Sequence, residues 1–104
     1  RVYRFRRGMP ELLTRDHRLG GGSHMLTRAV GAAETLRPEW LEIDSTDSSR
    51  FLLCTDGVHD VVSAGRLAAF VSAAPTLEAA AARLSADVVR QGAPDNFSLV
   101  LLEV

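Results

Sequence analysis

Phe51-Leu52-Leu53-Cys54-Thr55-Asp56-Gly57-Val58-His59-Asp60 runs four apolar residues into two carboxylates four positions apart, with a glycine directly after the first. An apolar run this short, closed by an Asp-Gly turn signal, reads as a strand buried on both faces. Asp56 then falls where the strand leaves the core, so its carboxylate meets solvent or a cation. A second junction of the same kind follows downstream, where Gly92-Ala93-Pro94 delivers Asp95-Asn96 into the apolar run from Phe97 to Val104. Two strand-end acids far apart in sequence can converge on one hard cation.

Upstream of this stretch, Trp40-Leu41-Glu42-Ile43-Asp44 alternates as a strand, and Ser45-Thr46-Asp47-Ser48-Ser49 follows as a polar turn. Residues 18–25 form a short loop around Gly20-Gly21-Gly22-Ser23, expected to be flexible because each glycine loses more backbone entropy on ordering than any other residue. Val2-Tyr3-Arg4-Phe5-Arg6 alternates as a half-buried strand. Arg7-Gly8-Met9-Pro10 supplies a turn, and Glu11-Leu12-Leu13-Thr14 reads as the returning strand of a hairpin. A hairpin whose first strand opens the chain reads as a cut through a larger domain.

Downstream, Ser63 can cap a helix with Leu67, Phe70 and Val71 at helical spacing. Thr76 can cap a second, in which Leu77, Ala80, Ala81, Leu84 and Val88 form one apolar stripe and Gly92 supplies the stop. Four strands, two helices and a last strand make an α+β chain, a layered sandwich with a mostly antiparallel sheet.

With 104 residues, 46% of them hydrophobic and 24% charged, the chain can enclose one core and not two. A net charge of −1 gives no bulk attraction to nucleic acid or to an anionic membrane. No apolar stretch approaches the roughly 18 residues of a membrane span, and Arg1 to Pro10 lacks the apolar centre of a signal peptide. The lone Cys54 cannot form an internal disulfide, and its place in a buried strand suits a reducing compartment, the cytoplasm. His17 and His24 lie near the glycines, but no HxxxH or CxxC spacing supports a zinc site.

Asp56 and Asp95 offer hard oxygen ligands of the kind magnesium and manganese prefer, in sites that keep several waters. Gly57 lets backbone approach closely, so that a carbonyl or water can complete the shell, and Asp60 can face the same cavity. The plainer alternative makes Asp56-Gly57 an ordinary turn and Asp60 a cap. On residue type alone the plainer alternative is the stronger.

The longer motifs reverse that balance. Thr55-Asp56-Gly57-Val58-His59-Asp60-Val61-Val62-Ser63 resembles the [ST]-D-G-[LV]-x-[DE] signature of the protein phosphatase 2C family of metal-dependent serine/threonine phosphatases. Gly92-Ala93-Pro94-Asp95-Asn96-Phe97-Ser98-Leu99-Val100 resembles the family's closing G-[ST]-x-D-N-[IV]-[ST]-x-[VI] motif. Leu13-Thr14-Arg15-Asp16-His17 and Leu26-Thr27-Arg28-Ala29-Val30-Gly31 are similar to its LTxDH and LTRALG segments, in the family's order.

This resemblance implies the carboxy-terminal half of a four-layer α-β-β-α sandwich with mainly antiparallel sheets. Arg1 looks like the arginine of the family's Gly-Asp-Ser-Arg turn. The family's phosphate-binding arginine, an early acidic ligand and its bridging Asp-Gly aspartate have no counterpart here. By position, Asp56 and Asp95 match two ligands of a binuclear Mg2+ or Mn2+ centre, and Asp60 matches a ligand of a weaker third site. Gly57 and Asn96 are supporting residues, Asn96 orienting the loop that bears Asp95, and His59 has no assigned catalytic role. The short loop at 18–25 replaces the longer flap segment of many bacterial relatives.

The function implied is hydrolysis of phosphoserine and phosphothreonine in a phosphoprotein substrate by metal-activated water, with this segment alone inactive. The expected partner is the missing amino-terminal half of the domain or another copy of the chain. A non-catalytic phosphatase-like regulatory or binding module is the alternative.

Overall fold

Phe51-Leu52-Leu53-Cys54 is too apolar for a loop and too short for a stable helix, so its backbone groups are best satisfied in a ladder. The computed structural model, which describes residues 1–18, 25–44 and 48–104, places it in a strand, β3 (Arg50–Cys54). On one side β3 pairs antiparallel with β1 (Val2–Arg6), Tyr3 opposite Leu52. On the other it pairs antiparallel with β4 (Leu99–Glu103), Cys54 opposite Leu99. A further strand, β2 (Met9–Leu12), flanks β1 and completes a sheet of order β2-β1-β3-β4.

The hairpin is tighter than the sequence suggests. Only Arg7 and Gly8 form the turn, with φ of 51° and 76°, the doubly positive pattern that matches the twist of a two-residue hairpin. The return begins at Met9 rather than Glu11 because β2 is an edge strand, where the missing N–H of Pro10 faces away from the ladder.

Three helices lie between β3 and β4: α1 (Asp56–His59), α2 (Ala64–Ala73) and α3 (Leu77–Arg90). The Ser63 hydroxyl accepts from Arg66 N at 3.3 Å and the Thr76 hydroxyl from Ala79 N at 3.1 Å, the two caps the sequence points to. At its far end α3 closes on Gly92 in the left-handed region (φ 98°). There Gly92 N donates to Val89 O at 3.0 Å and Ala93 N to Val88 O at 3.1 Å, which satisfies the last carbonyls.

Tyr3, Phe5, Leu52 and Cys54 on one sheet face pack with Val58, Val62, Leu67, Val71, Leu84 and Val88 in a single core. On the opposite face Phe51 is buried, but Leu53, Leu102 and Val100 are 38%, 46% and 54% exposed. The expectation that the strand at 51–54 is buried on both faces therefore fails at Leu53, because the helices cover one face only.

The chain divides into two compact units, one from Arg1–Thr14 and Ser45–Val104 and the other from Arg15–Asp44. In the second, Thr27 N donates to His17 O at 2.7 Å and Arg28 reaches Arg37 O at 3.3 Å. His17 Nε2 lies 2.7 Å from a Glu39 carboxylate oxygen, and this hydrogen bond, ahead of the nearby Arg15, holds the Glu39 carboxyl below its usual value. The alternating segment at 40–44 is not a strand here: no described strand pairs with it, and Trp40 is exposed. The Gly20–Ser23 loop, His24 and most of the polar turn at 45–49 lie outside the described residues.

Asp87 is fully buried in the last turn of α3, yet it is not isolated. Its carboxylate accepts from Arg66 of α2 at 2.6 and 3.3 Å, from Gln91 at 2.9 Å and from Arg90. Arg66 also stands over the Phe70 ring at 5.5 Å. The hydrogen bonds, Arg66 first, lower the Asp87 pKa from its ordinary 3.8, against the opposing effect of burial.

A depressed folded-state pKa adds stability that is complete above 3.8 and is lost as pH falls through the folded value. Asp87→Ala is expected to lower unfolding free energy by about 2–3 kcal/mol in urea titrations at neutral pH. Asp87→Asn should flatten the fall in stability below pH 4, and an unchanged acid limb would contradict the assignment.

Candidate functional site

β3 ends at Cys54 because the backbone turns helical one residue later. Thr55 is extended (φ −80°, ψ 169°) and its carbonyl accepts from Val58 N at 3.1 Å, starting the turn of α1. Asp60 N then donates to Asp56 O at 2.9 Å. The two acids are thus one helical turn apart on the same side. Asp56, read from sequence as a strand-leaving turn residue, instead opens a short helix, where a carboxylate is favoured by the unpaired N–H groups. Behind it Gly57 and Val58 are buried and anchor the turn in the core. Asp56 is half-buried and Asp60 exposed. The nearly buried His59 ring brings Nδ1 to 3.3 Å from Asp60 Oδ1, so a residue with no assigned role touches a named acid.

The second loop leaves α3 through Gly92 and Ala93, both at positive φ, and passes Pro94 to Asp95. Asp95 Oδ1 accepts from Asn96 N at 2.7 Å. Both Asp95 and Asn96 are exposed.

The two loops meet at Gly57. A Cβ there would stand 2.9 Å from Phe97 Cβ and 3.0 Å from the Asn96 carbonyl carbon, and would fall against the Asn96 carbonyl oxygen itself. Glycine is required by space alone, since the neighbouring atoms are mostly backbone. The group that approaches Gly57 closely is the loop bearing Asp95.

Two residues away the loops are also hydrogen-bonded. Thr55 N donates to Ser98 O at 3.1 Å, and Ser98 N donates to the Thr55 hydroxyl at 3.0 Å. Sequence reading singled out neither Thr55 nor Ser98 for a role. The available signal was that each is a hydroxyl residue flanking a named acid.

Asp56, Asp60 and Asp95 all belong to the first compact unit, at the end of the sheet where β3 stops and β4 begins. They do not form a closed cage: among the described residues, no three His, Cys, Asp or Glu side chains gather around one point. Cys54 is buried behind the site and desolvation raises its thiol pKa, which keeps it an unreactive core residue. Arg1 lies beside it on the ladder, its carbonyl accepting from Cys54 N at 3.0 Å. No helix is long and apolar enough to cross a membrane among the described residues.

Gly57→Ala forces the Asn96 carbonyl to move and is expected to lower stability by about 1–3 kcal/mol, as overpacking does. Thermal melts check this, and a melting temperature within error of the parent would contradict the close contact.

No protein-family model and no curated protein matches the sequence. Solved structures do. PppA of Pseudomonas aeruginosa, described as a key regulatory component of T6SS, superposes with a TM-score of 0.89 at 28% identity over 99% of this chain and 48% of its own. MsPP, a PPM Ser-Thr phosphatase of Mycobacterium smegmatis solved with cacodylate, gives 0.84 at 26% identity over 96% of this chain and 50% of its own. The catalytic domain of the serine threonine protein phosphatase PstP, solved with 2 manganese ions, gives 0.83 at 25% identity over 99% of this chain and 49% of its own. The chain spans about half the length of the structures it matches. Its four-stranded antiparallel sheet with three helices is the fold of part of a PPM-type, protein phosphatase 2C, serine/threonine phosphatase, consistent with the carboxy-terminal part of that domain.

Proposed function

We propose that this chain is the part of a metal-dependent protein serine/threonine phosphatase that carries Asp56 and Asp95 as metal ligands. The observation that carries the reading is the abutment of the two acid-bearing loops across Gly57 and Asn96, in a chain with a phosphatase fold. Carboxylate oxygens of the half-buried Asp56 and the exposed Asp95, with the nearby thiol buried and unreactive, suit Mg2+ or Mn2+ rather than a soft metal. The manganese-bound PstP domain supports the same class of ion.

Asp56 and Asp95 would hold two such ions and Asp60 a weaker third, with the remaining ligands supplied by the rest of the domain. When bound, the ions supply Lewis-acid activation of water and neutralise charge on the phosphoryl oxygens of a phosphoserine or phosphothreonine substrate. The chain's own contribution is positional. Val58 fixes the turn bearing Asp56 in the core, Gly57 admits the Asn96 carbonyl, and Asn96 N restrains the Asp95 carboxylate. Leu53, Val100 and Leu102 would be covered by the missing amino-terminal half of the domain or by another copy of the chain.

In the complete domain, Asp56→Asn or Asp95→Asn is expected to reduce Mn2+-dependent hydrolysis of p-nitrophenyl phosphate about a hundredfold or more, as loss of several kcal/mol of metal-centred stabilisation requires. Undiminished turnover at saturating Mn2+ would sink the assignment and favour a non-catalytic module. The chain of 104 residues alone is expected to be inactive, and metal-dependent turnover by it would contradict the shared site.

A further inference from the structure

The register of β3 and β4 makes Thr55 and Ser98 the next pair after Cys54 and Leu99. At the other end of this ladder Ser49 and Val104 exchange both main-chain hydrogen bonds, at 3.2 and 3.1 Å. In an antiparallel ladder such doubly bonded pairs recur at every second residue. Thr55 and Ser98 fall on that repeat, and Thr55 N does donate to Ser98 O. The return bond, from Ser98 N to Thr55 O, is not made; the Thr55 carbonyl accepts from Val58 N instead, as the first acceptor of α1. Ser98 N turns instead to the Thr55 hydroxyl at 3.0 Å. That hydroxyl does not cap α1, although Thr55 holds the N-cap position where such side chains usually accept from the first helical turn.

The geometry points to Thr55 as a positioning residue whose hydroxyl supplies the last rung of the β3–β4 ladder after the backbone has turned into α1. A chain that starts a helix immediately after a strand loses one rung at the point where Asp56 emerges. The side chain restores it, so the residue before Asp56 stays tied to the strand entry that follows Asp95. Thr55 and Ser98 are both exposed, so this tie is not a consequence of core packing. The inference rests on the metal reading above only for its consequence, a fixed relation between the two carboxylates.

The test, made in the complete domain that supplies the remaining ligands, compares the parent with Thr55→Val, which keeps the shape and removes the acceptor, and Thr55→Ser, which keeps the acceptor. Nuclear magnetic resonance hydrogen exchange should show the Ser98 amide exchanging about tenfold faster in Thr55→Val, the worth of one ordinary hydrogen bond. Thr55→Ser should restore it, while the Leu102 amide, in the bonded pair with Phe51, serves as an unaffected reference. In Mn2+ titrations, amides around Asp56 and Asp95 should broaden together in the parent and in Thr55→Ser. In Thr55→Val the pair should need about tenfold more Mn2+, or broaden separately. Unchanged Ser98 exchange in Thr55→Val overturns the inference, as does failure of Thr55→Ser to rescue it. No Mn2+ response in the parent counts against the metal reading, and Ser98 exchange then decides the rung by itself.

Discussion

The pairing of β3 with β4 is the interaction on which the rest of this structure depends. It joins Arg50–Cys54 to Leu99–Glu103 after the chain has passed through all three helices, and its register brings the residue before Asp56 opposite the strand entry after Asp95. Arg50 consolidates the far end of the same ladder. Its guanidinium donates to Glu103 across the strands at 3.0 Å and to the Val71 and Ala74 carbonyls at 2.7 and 2.6 Å, satisfying the end of α2. One side chain thus ties β3 and β4 to the helical layer, and the acid-bearing loops gather at the opposite end.

What the sequence made legible was local. The apolar run before Asp56, the caps at Ser63 and Thr76 and the stop at Gly92 each depend on a few neighbouring residues, and each stands in the structure. What was illegible depended on partners. Trp40 to Asp44 has the alternation of a strand, but alternation does not form a ladder without a neighbour. Pro10 reads as turn chemistry until the edge position of β2 is known. Leu53 reads as buried because nothing in the run Phe51 to Cys54 says that the face away from the helices is left open at Leu53.

The candidate site divides the same way. Asp56, Asp60 and Asp95 could be singled out by residue type and motif, and Gly57 by the space that only glycine leaves. The Thr55 hydroxyl could not, because its role follows from a register that exists only after folding and from a carbonyl already committed to a helix. Asp87 is a further case. It lies on the helix that the sequence predicts, yet its complete burial follows from Arg66 reaching across from α2.

The two loops therefore owe their placement to main-chain pairing, one glycine contact and one hydroxyl, while the carboxylates themselves remain at the surface. Such a site is rigid in its supports and open to cations at its tip. The most direct measurement is an anomalous difference map at the manganese edge from crystals of the complete domain grown with Mn2+. The account predicts metal peaks within about 2–2.5 Å of carboxylate oxygens of both Asp56 and Asp95. Peaks that touch neither residue, or only one of them, would contradict it.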